Sequence, residues 1–157
     1  MKKLLLIVAT GLLCLGLVAC GSGGTETTNT TATDETANQA TDEGNLGDYY
    51  VKIKDAKIGE SYEGSQALIV TFDFTNNSEE NASFISSVST IAYQDGVQLD
   101  TAVLTNYQDD WKKIQPGTTL EVRSAWLLPD KTSPVDVEVS EFISFSDEKL
   151  TKTFELE

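Results

Sequence analysis

Thiols and imidazoles perform much of protein chemistry, and this chain has few of them. It contains two cysteines, Cys14 and Cys20, and no histidine. Cys20 closes the quartet Leu17-Val18-Ala19-Cys20, and Cys14 lies in the apolar stretch before it. Without an imidazole, the sequence excludes Ser-His-Asp and Cys-His catalysis as well as zinc held by Cys and His. The chemistry left to Cys20 is modification of its own thiol.

The segment before Cys20 has the three parts of an export signal. Lys2 and Lys3 form a basic start, residues 4–17 are largely apolar, and small Ala19 precedes the cleavage point. The apolar run is shorter than the roughly 20 residues of a membrane span. The quartet resembles the lipobox of bacterial lipoproteins, which implies cleavage after residue 19 and a diacylglycerol on Cys20, with an N-acyl chain as a further modification. Two acyl chains would hold the protein stably at the membrane.

Paired carboxylates beside aromatic rings form the second group with chemical potential. Asp109 and Asp110 lie between Tyr107 and Trp111 in a polar, irregular stretch. Such a group can bind sugar, and two carboxylates can in principle do acid–base work. The alternative is a solvated loop with an aromatic plug over the end of the fold. We expect these four residues to contribute to partner binding, and we assign no catalytic residue.

An oxygen-rich loop forms the third group. Asn76, Asn77, Glu79 and Glu80 follow one another closely, and calcium prefers oxygen ligands of this kind. However, no Asp-x-Asp-x-Asp-Gly loop occurs, and Asn, Asp and Ser are also ordinary turn residues. We therefore expect these four residues to contact a partner, and we assign no metal site.

Composition divides the mature chain into a tether and a domain. Residues 20–47 are nearly all small, polar or acidic, with Leu46 as the one sizeable apolar side chain. Such a segment buries too little apolar surface to fold, which predicts a disordered tether. The remaining residues, 48–157, are enough for one domain with a single core.

Apolar and polar residues alternate with a period of two through most of residues 48–157, which is typical of strands. Asp95-Gly96 predicts a hairpin and Pro116-Gly117 a turn. No long helix and no alternation of strands with helices is indicated, so the expected fold is all-β: an antiparallel immunoglobulin-like sandwich of seven or eight strands. The expected strands cover 49–58, 66–75, 84–93, 97–103, 120–128, 135–139, 142–145 and 152–156, with a short helical turn allowed near Phe84.

Several strand and turn motifs resemble a known family. They are Tyr50, the run Phe72-Asp73-Phe74-Thr75-Asn76, the segment Tyr93-Gln94-Asp95-Gly96-Val97-Gln98-Leu99, and Gln115-Pro116-Gly117 leading into Trp126-Leu127-Leu128. Together they resemble Gram-positive surface lipoproteins with a domain of unknown function, similar to a mycobacterial secreted immunoprotective antigen. The resemblance implies an immunoglobulin-like fold at the cell surface and no catalytic residue.

Charge narrows the choice of partners. Without Lys2 and Lys3 the chain keeps nine basic residues against 25 acidic ones, so nucleic acid is a poor partner. We expect a lipid-anchored protein on the extracytoplasmic face of the bacterial cell membrane. Its expected role is a non-enzymatic interaction module for an envelope protein or glycan, with no cofactor besides the lipid on Cys20. The alternative is a small-ligand or calcium-binding accessory lipoprotein.

Overall fold

A computed structural model of the protein describes residues 41–105, 109–143 and 147–156. The predictions for the leader, for lipid attachment at Cys20 and for Tyr107 lie outside these residues. The described part contains no helix that is long and apolar enough to span a membrane. Its elements in chain order are β1 Glu43–Leu46, β2 Tyr49–Glu60, β3 Gln66–Asn76, α1 Phe84–Ser87, β4 Val88–Gln94, β5 Val97–Gln98, β6 Thr119–Leu127, β7 Val135–Glu141 and β8 Lys149–Phe154.

These strands form two four-stranded sheets. The first has the order β1-β2-β3-β6 and the second the order β5-β4-β7-β8, and every pair is antiparallel. The all-β sandwich expected from the sequence is therefore confirmed, with eight strands in the described residues. The short helix at Phe84 fits the helical turn that the serine-rich start of this segment allowed.

The core lies between the sheets because one face of each strand is apolar. On β3, every second residue from Leu68 to Phe74 is buried, and on β7 Val135, Val137 and Val139 are inaccessible to solvent. Phe84 of α1 closes one end, with its ring 5.3 Å from Phe72 and 5.6 Å from Phe74. These contacts are the consequence of the period-two pattern, since alternate side chains of a strand share a face.

The predicted hairpin at Asp95-Gly96 is confirmed, but its return strand is much shorter than expected. Asp95 and Gly96 both have positive φ, 53° and 76°, as a type I′ turn requires. β5 then ends at Gln98, and Thr101 forms a bridge with Trp126 of the other sheet. The chain therefore changes sheets here, so the single strand predicted over 97–103 is wrong.

The domain also begins earlier than expected. β1 lies inside the segment assigned to the tether, and Leu46 is buried in the core. Gly47, with φ of 57°, and Asp48 connect β1 to β2 in a tight hairpin. A Gly-Asp pair is a hairpin signal, and the boundary placed at residues 47 and 48 cut through it.

The strand expected over 142–145 is likewise wrong in its described part. β7 ends at Glu141, and Phe142 and Ile143 follow in a bend with both side chains exposed. The apolar pair is therefore surface rather than core.

One long side of the sandwich, where β8 faces β1 and β2, is closed by a lysine. Lys152 of β8 donates from Nζ to the carbonyl oxygens of Ile53 and Lys54, at 2.9 and 2.6 Å, and to Asp42 Oδ2 at 3.0 Å. Both carbonyls lie where the β2–β3 register shifts, and such a bulge leaves backbone groups unpaired in the ladder. Thr41 reaches the same side, because its carbonyl accepts from Thr151 N at 2.9 Å.

Candidate functional site

The opposite long side of the sandwich is open and forms a groove between the sheets. Its volume is about 370 Å³, and its walls come from β4, β6 and the crossing segment 101–103. The wall is mostly apolar, and Asp110 is its one ionisable residue within the described part of the chain. The lining residues are Phe84, Ile85, Val88, Ser89, Thr90, Thr101, Ala102, Val103, Asp110, Ser124, Ala125, Trp126 and Phe142.

Exposed apolar side chains gather at this groove. Three of its lining residues, Ile85, Val103 and Phe142, are large, apolar and more than half exposed. Trp111 and Ile143, which directly follow two lining residues in the chain, are also exposed, at 63% and 73%. Large apolar side chains exposed around a groove are typical of interaction sites on protein domains.

Among the described residues, no strand pairs with the first half of β4 on the edge that borders the groove. Within the described residues, β5 pairs only with Tyr93 and Gln94, and Leu99 N donates to Ala92 O beside them. On the other edge, β4 pairs with β7 along its whole length. The first half of β4 therefore has backbone groups facing the groove.

Backbone hydrogen bonds around β4 show which groups these are. Groups of alternate residues in a strand point to opposite edges. Ser87 O accepts from Phe142 N on the β7 side, whereas Ala92 O faces β5. The backbone groups of Val88 and Thr90 therefore point toward the groove. One of them, the Val88 N–H, already donates a hydrogen bond to Phe84 O.

Asp110 contributes a carboxylate to this apolar wall. Burial raises the pKa of the Asp110 carboxyl above its ordinary value, and repulsion from Asp109 adds to this, while backbone N–H groups of Asp110 and Trp111 oppose it. No cation of the described residues contributes to that balance. The backbone carbonyl oxygen of Asp110 accepts a hydrogen bond from Ile85 N at 3.0 Å, which attaches the loop to α1. The arrangement can bind a cationic or hydrogen-bond-donating group.

Asp109 differs from its neighbour because it already has a cation. Its Oδ1 lies 2.8 Å from Lys112 Nζ, in an ion pair rather than an aligned hydrogen bond. Its backbone has a positive φ of 59°, which aspartate tolerates better than most residues. Of the predicted loop residues, Asp110 thus lines the groove, Trp111 is exposed next to it, and Asp109 shapes the turn.

Asn76 is a correction to the predicted binding residues, because it is fully buried. Its side-chain amide donates to Glu80 O at 2.7 Å and to Ile114 O at 3.0 Å, and its Oδ1 accepts from the backbone and hydroxyl of Ser78. A side chain with this set of internal partners has no free face for a ligand. Asn76 folds the loop instead of binding through it.

The other residues of that loop are exposed but do not belong to the groove. Asn77, Glu79 and Glu80 are solvent-accessible, and none of them lines it. Within the residues that the structure describes, no group of three or more Asp, Glu, Cys or His is placed to hold a metal ion. The loop and the groove are thus separate surfaces.

Ile85, Val103 and Phe142 are the groove residues that sequence reasoning missed. Each lies in or beside a segment that was assigned to an alternating strand, where an apolar residue is normally counted as core. The signal that could have identified them is their position at the changeover between elements. There the period-two pattern no longer determines which face is buried.

Comparison with solved structures supports the sandwich fold. A crystal structure of a Bacillus subtilis protein described as a "putative lipoprotein" matches 74% of this chain with 17% identity and a TM-score of 0.55, and this match covers 39% of that protein. An uncharacterized β-sandwich protein from Clostridium difficile matches 72% of this chain and 89% of its own, at 15% identity and a TM-score of 0.54. An NMR structure of a protein from Enterococcus faecalis matches 74% of this chain and 90% of its own, at 19% identity and a TM-score of 0.52. At these identities the likeness concerns the fold alone.

Sequence comparison identifies the family. No curated protein matches the chain. The family described as "Domain of unknown function (DUF5067)" matches residues 25–141, about three quarters of the sequence. The part of the predicted resemblance that concerned a domain of unknown function with a two-sheet fold is confirmed. Its narrower part, the relation to Gram-positive surface lipoproteins and to the immunoprotective antigen, stays a prediction. The chain belongs to the DUF5067 family.

Proposed function

We propose that this protein is a lipid-anchored, non-enzymatic interaction module of the cell envelope, which binds an envelope protein through the groove beside β4. The observation on which this rests is the set of exposed apolar side chains at an open side of the sandwich, in a groove that also contains the carboxylate of Asp110. Of the seven large apolar residues exposed in the described chain, five line the groove or directly follow a lining residue. Exposure on this scale has an energetic cost in water, which binding of a partner would remove.

The proposed anchor is the lipidated thiol of Cys20, on the extracytoplasmic face of the membrane. It is supported by the basic and apolar leader and by the lipobox resemblance of residues 17–20. The similarity in fold to the Bacillus subtilis protein described as a "putative lipoprotein" fits this proposal.

A small apolar ligand is the second candidate for the same groove. Its volume of about 370 Å³ falls within the range of ligand pockets, roughly 300–1,000 Å³. A lone carboxylate in an apolar wall suits binding better than hydrolysis by a pair of carboxylates, which needs two such groups on opposite sides of a substrate.

Site-specific photo-crosslinking on intact cells tests the proposal. Val103 and Val97 form a matched pair, because both are 67% exposed but only Val103 lines the groove. With a photoreactive amino acid at position 103, we expect a covalent protein adduct that is absent with the same group at position 97. Adducts of equal yield at both positions, or none at position 103, would contradict the proposed binding surface.

A localisation experiment tests the anchor separately. Cys20→Ser removes the thiol that lipid would modify, so we expect the protein to leave the membrane fraction while its thermal unfolding is unchanged. A variant that stays with the membrane would show that something other than this thiol anchors the chain.

A further inference from the structure

Building on the proposed interaction role, we propose that the occupant of the groove is an extended peptide segment of the partner. It adds as a strand to the free edge of β4, places an apolar side chain between the sheets and sets a Lys or Arg against Asp110. Recognition by strand addition combines main-chain hydrogen bonds with pockets for alternate side chains. The groove offers both kinds of contact.

The backbone of β4 provides the first argument. The Val88 carbonyl and both backbone groups of Thr90 point toward the groove, and no strand of the described chain pairs with them. Backbone donors and acceptors need partners, and an extended peptide supplies them at the spacing of a strand.

The composition of this edge provides the second argument. Proteins commonly protect open sheet edges with charged residues, proline or very short strands. The free half of β4 reads Val88, Ser89, Thr90 and Ile91, without charge or proline. By contrast, β6 carries Glu121 and Arg123, and β5 has only two residues. The β4 edge therefore retains what an incoming strand needs.

Charge complementarity provides the third argument and selects the partner's chemistry. The Asp110 carboxylate is partly withdrawn from water, and the only charged side chain acting on it among the described residues is Asp109, which repels it. A lysine or arginine next to an apolar residue in the peptide would offset this unfavourable burial. A second copy of this chain fits less well, because residues 48–157 hold 20 acidic and nine basic side chains.

Selection from a phage-displayed library of seven-residue peptides, on the purified full chain, provides the probe. We expect enrichment of peptides with alternating apolar residues and a Lys or Arg. The Val103→Glu substitution should abolish binding of the selected synthetic peptide, whereas Val97→Glu should leave it intact. Loss of binding in Val103→Glu but not in Val97→Glu supports the groove as the binding site. Equal binding of the peptide to both variants would show that the groove is not the binding site.

N-methylation of the selected peptide tests strand addition separately from the site. If the peptide pairs with β4, methylation of every second amide should weaken binding at least about tenfold, because each removes one edge hydrogen bond, and methylation of the intervening amides should be tolerated. A peptide that needs Val103 but shows no such alternation would overturn strand addition while keeping the proposed function.

The charge contact has its own matched pair of variants. Asp110→Asn should reduce the preference for Lys over an uncharged residue in the peptide by about tenfold. Asp95→Asn, in the hairpin turn at the other end of β4, should have no effect. An unchanged preference in Asp110→Asn overturns the charge contact. A concentration-dependent dimer in sedimentation that Val103→Glu abolishes would instead assign the groove to a second copy of the chain.

Discussion

Replacement of Asn76 separates a structural role from a binding role in the loop that follows β3. In Asn76→Ala, Ile114 O keeps only the Ala82 N–H at 3.1 Å, and Glu80 O keeps only the Ser78 hydroxyl at 3.0 Å. Two internal hydrogen bonds from the amide are lost, the one to Ile114 O buried and the one to Glu80 O partly buried, and the two from Ser78 can be replaced by water. At about 1 kcal/mol for each bond and more for a buried group left unpaired, the free energy of unfolding should fall by about 3 kcal/mol.

Chemical denaturation followed by tryptophan fluorescence measures this loss, since Trp126 is buried in the same core. The melting temperature should fall by roughly 10 °C, given about 4 °C per kcal/mol for a domain of this size. Asn77→Ala is the matched control, because Asn77 is exposed, and it should change the unfolding free energy by less than about 0.5 kcal/mol.

Asn76→Asp sharpens the test. A carboxylate there would face two carbonyl oxygens and lose solvation, so its pKa should rise in the folded state. The variant should therefore be least impaired below about pH 4 and lose stability as the pH rises. If Asn76→Ala unfolds like Asn77→Ala, the assignment of Asn76 to the interior of the loop is wrong.

Two further variants test the two sides of the sandwich. Asp110→Asn should be more stable than the natural protein at pH 7, because burial raises the pKa of the Asp110 carboxyl and so disfavours its charged form in the folded state. In the natural protein, the stability that comes with protonation of this carboxyl is present below about pH 4 and is lost as the pH rises. The difference in melting temperature between the two proteins should vanish near pH 3, and a less stable variant at pH 7 would show that the carboxylate supports the fold. Lys152→Met should lower the free energy of unfolding by about 1–3 kcal/mol in urea, since two carbonyls and Asp42 lose their donor. Lys149→Met, which loses the exposed Glu138 ion pair at 2.7 Å, should cost less than about 1 kcal/mol, and equal losses would refute the closing role of Lys152.

Most of the sandwich could be predicted from sequence because its strands follow one rule. In β3 and β7, apolar residues at every second position face the core, and this pattern can be recognised from the sequence of the strand itself. The hairpin at Asp95-Gly96 was equally local, since positive φ at both positions favours Asp and Gly. The changeover at Thr101 could not be predicted, because its bridge to Trp126 joins residues far apart in sequence.

The candidate site was predictable only in part, for a similar reason. Asp110 and Trp111 stood out as a carboxylate beside an aromatic ring, and both lie at or next to the groove. Asn76 was misassigned because an Asn in a polar loop has the same local appearance whether its amide faces water or two carbonyls. Val103 and Phe142 were assigned to strands because periodicity does not reveal where a strand ends.

The contrast between the two long sides argues that the groove is more than a packing defect. On the closed side, Lys152 satisfies three oxygen atoms and joins the sheets. On the open side, the described part of the chain retains a carboxylate whose burial disfavours its charge, in a groove that is also lined by exposed Val103 and bordered by the unpaired half of β4. For folding alone, an uncharged residue at position 110 would be better, since stabilising substitutions are easily found. A free-energy cost that folding does not require is typical of a surface that serves a partner.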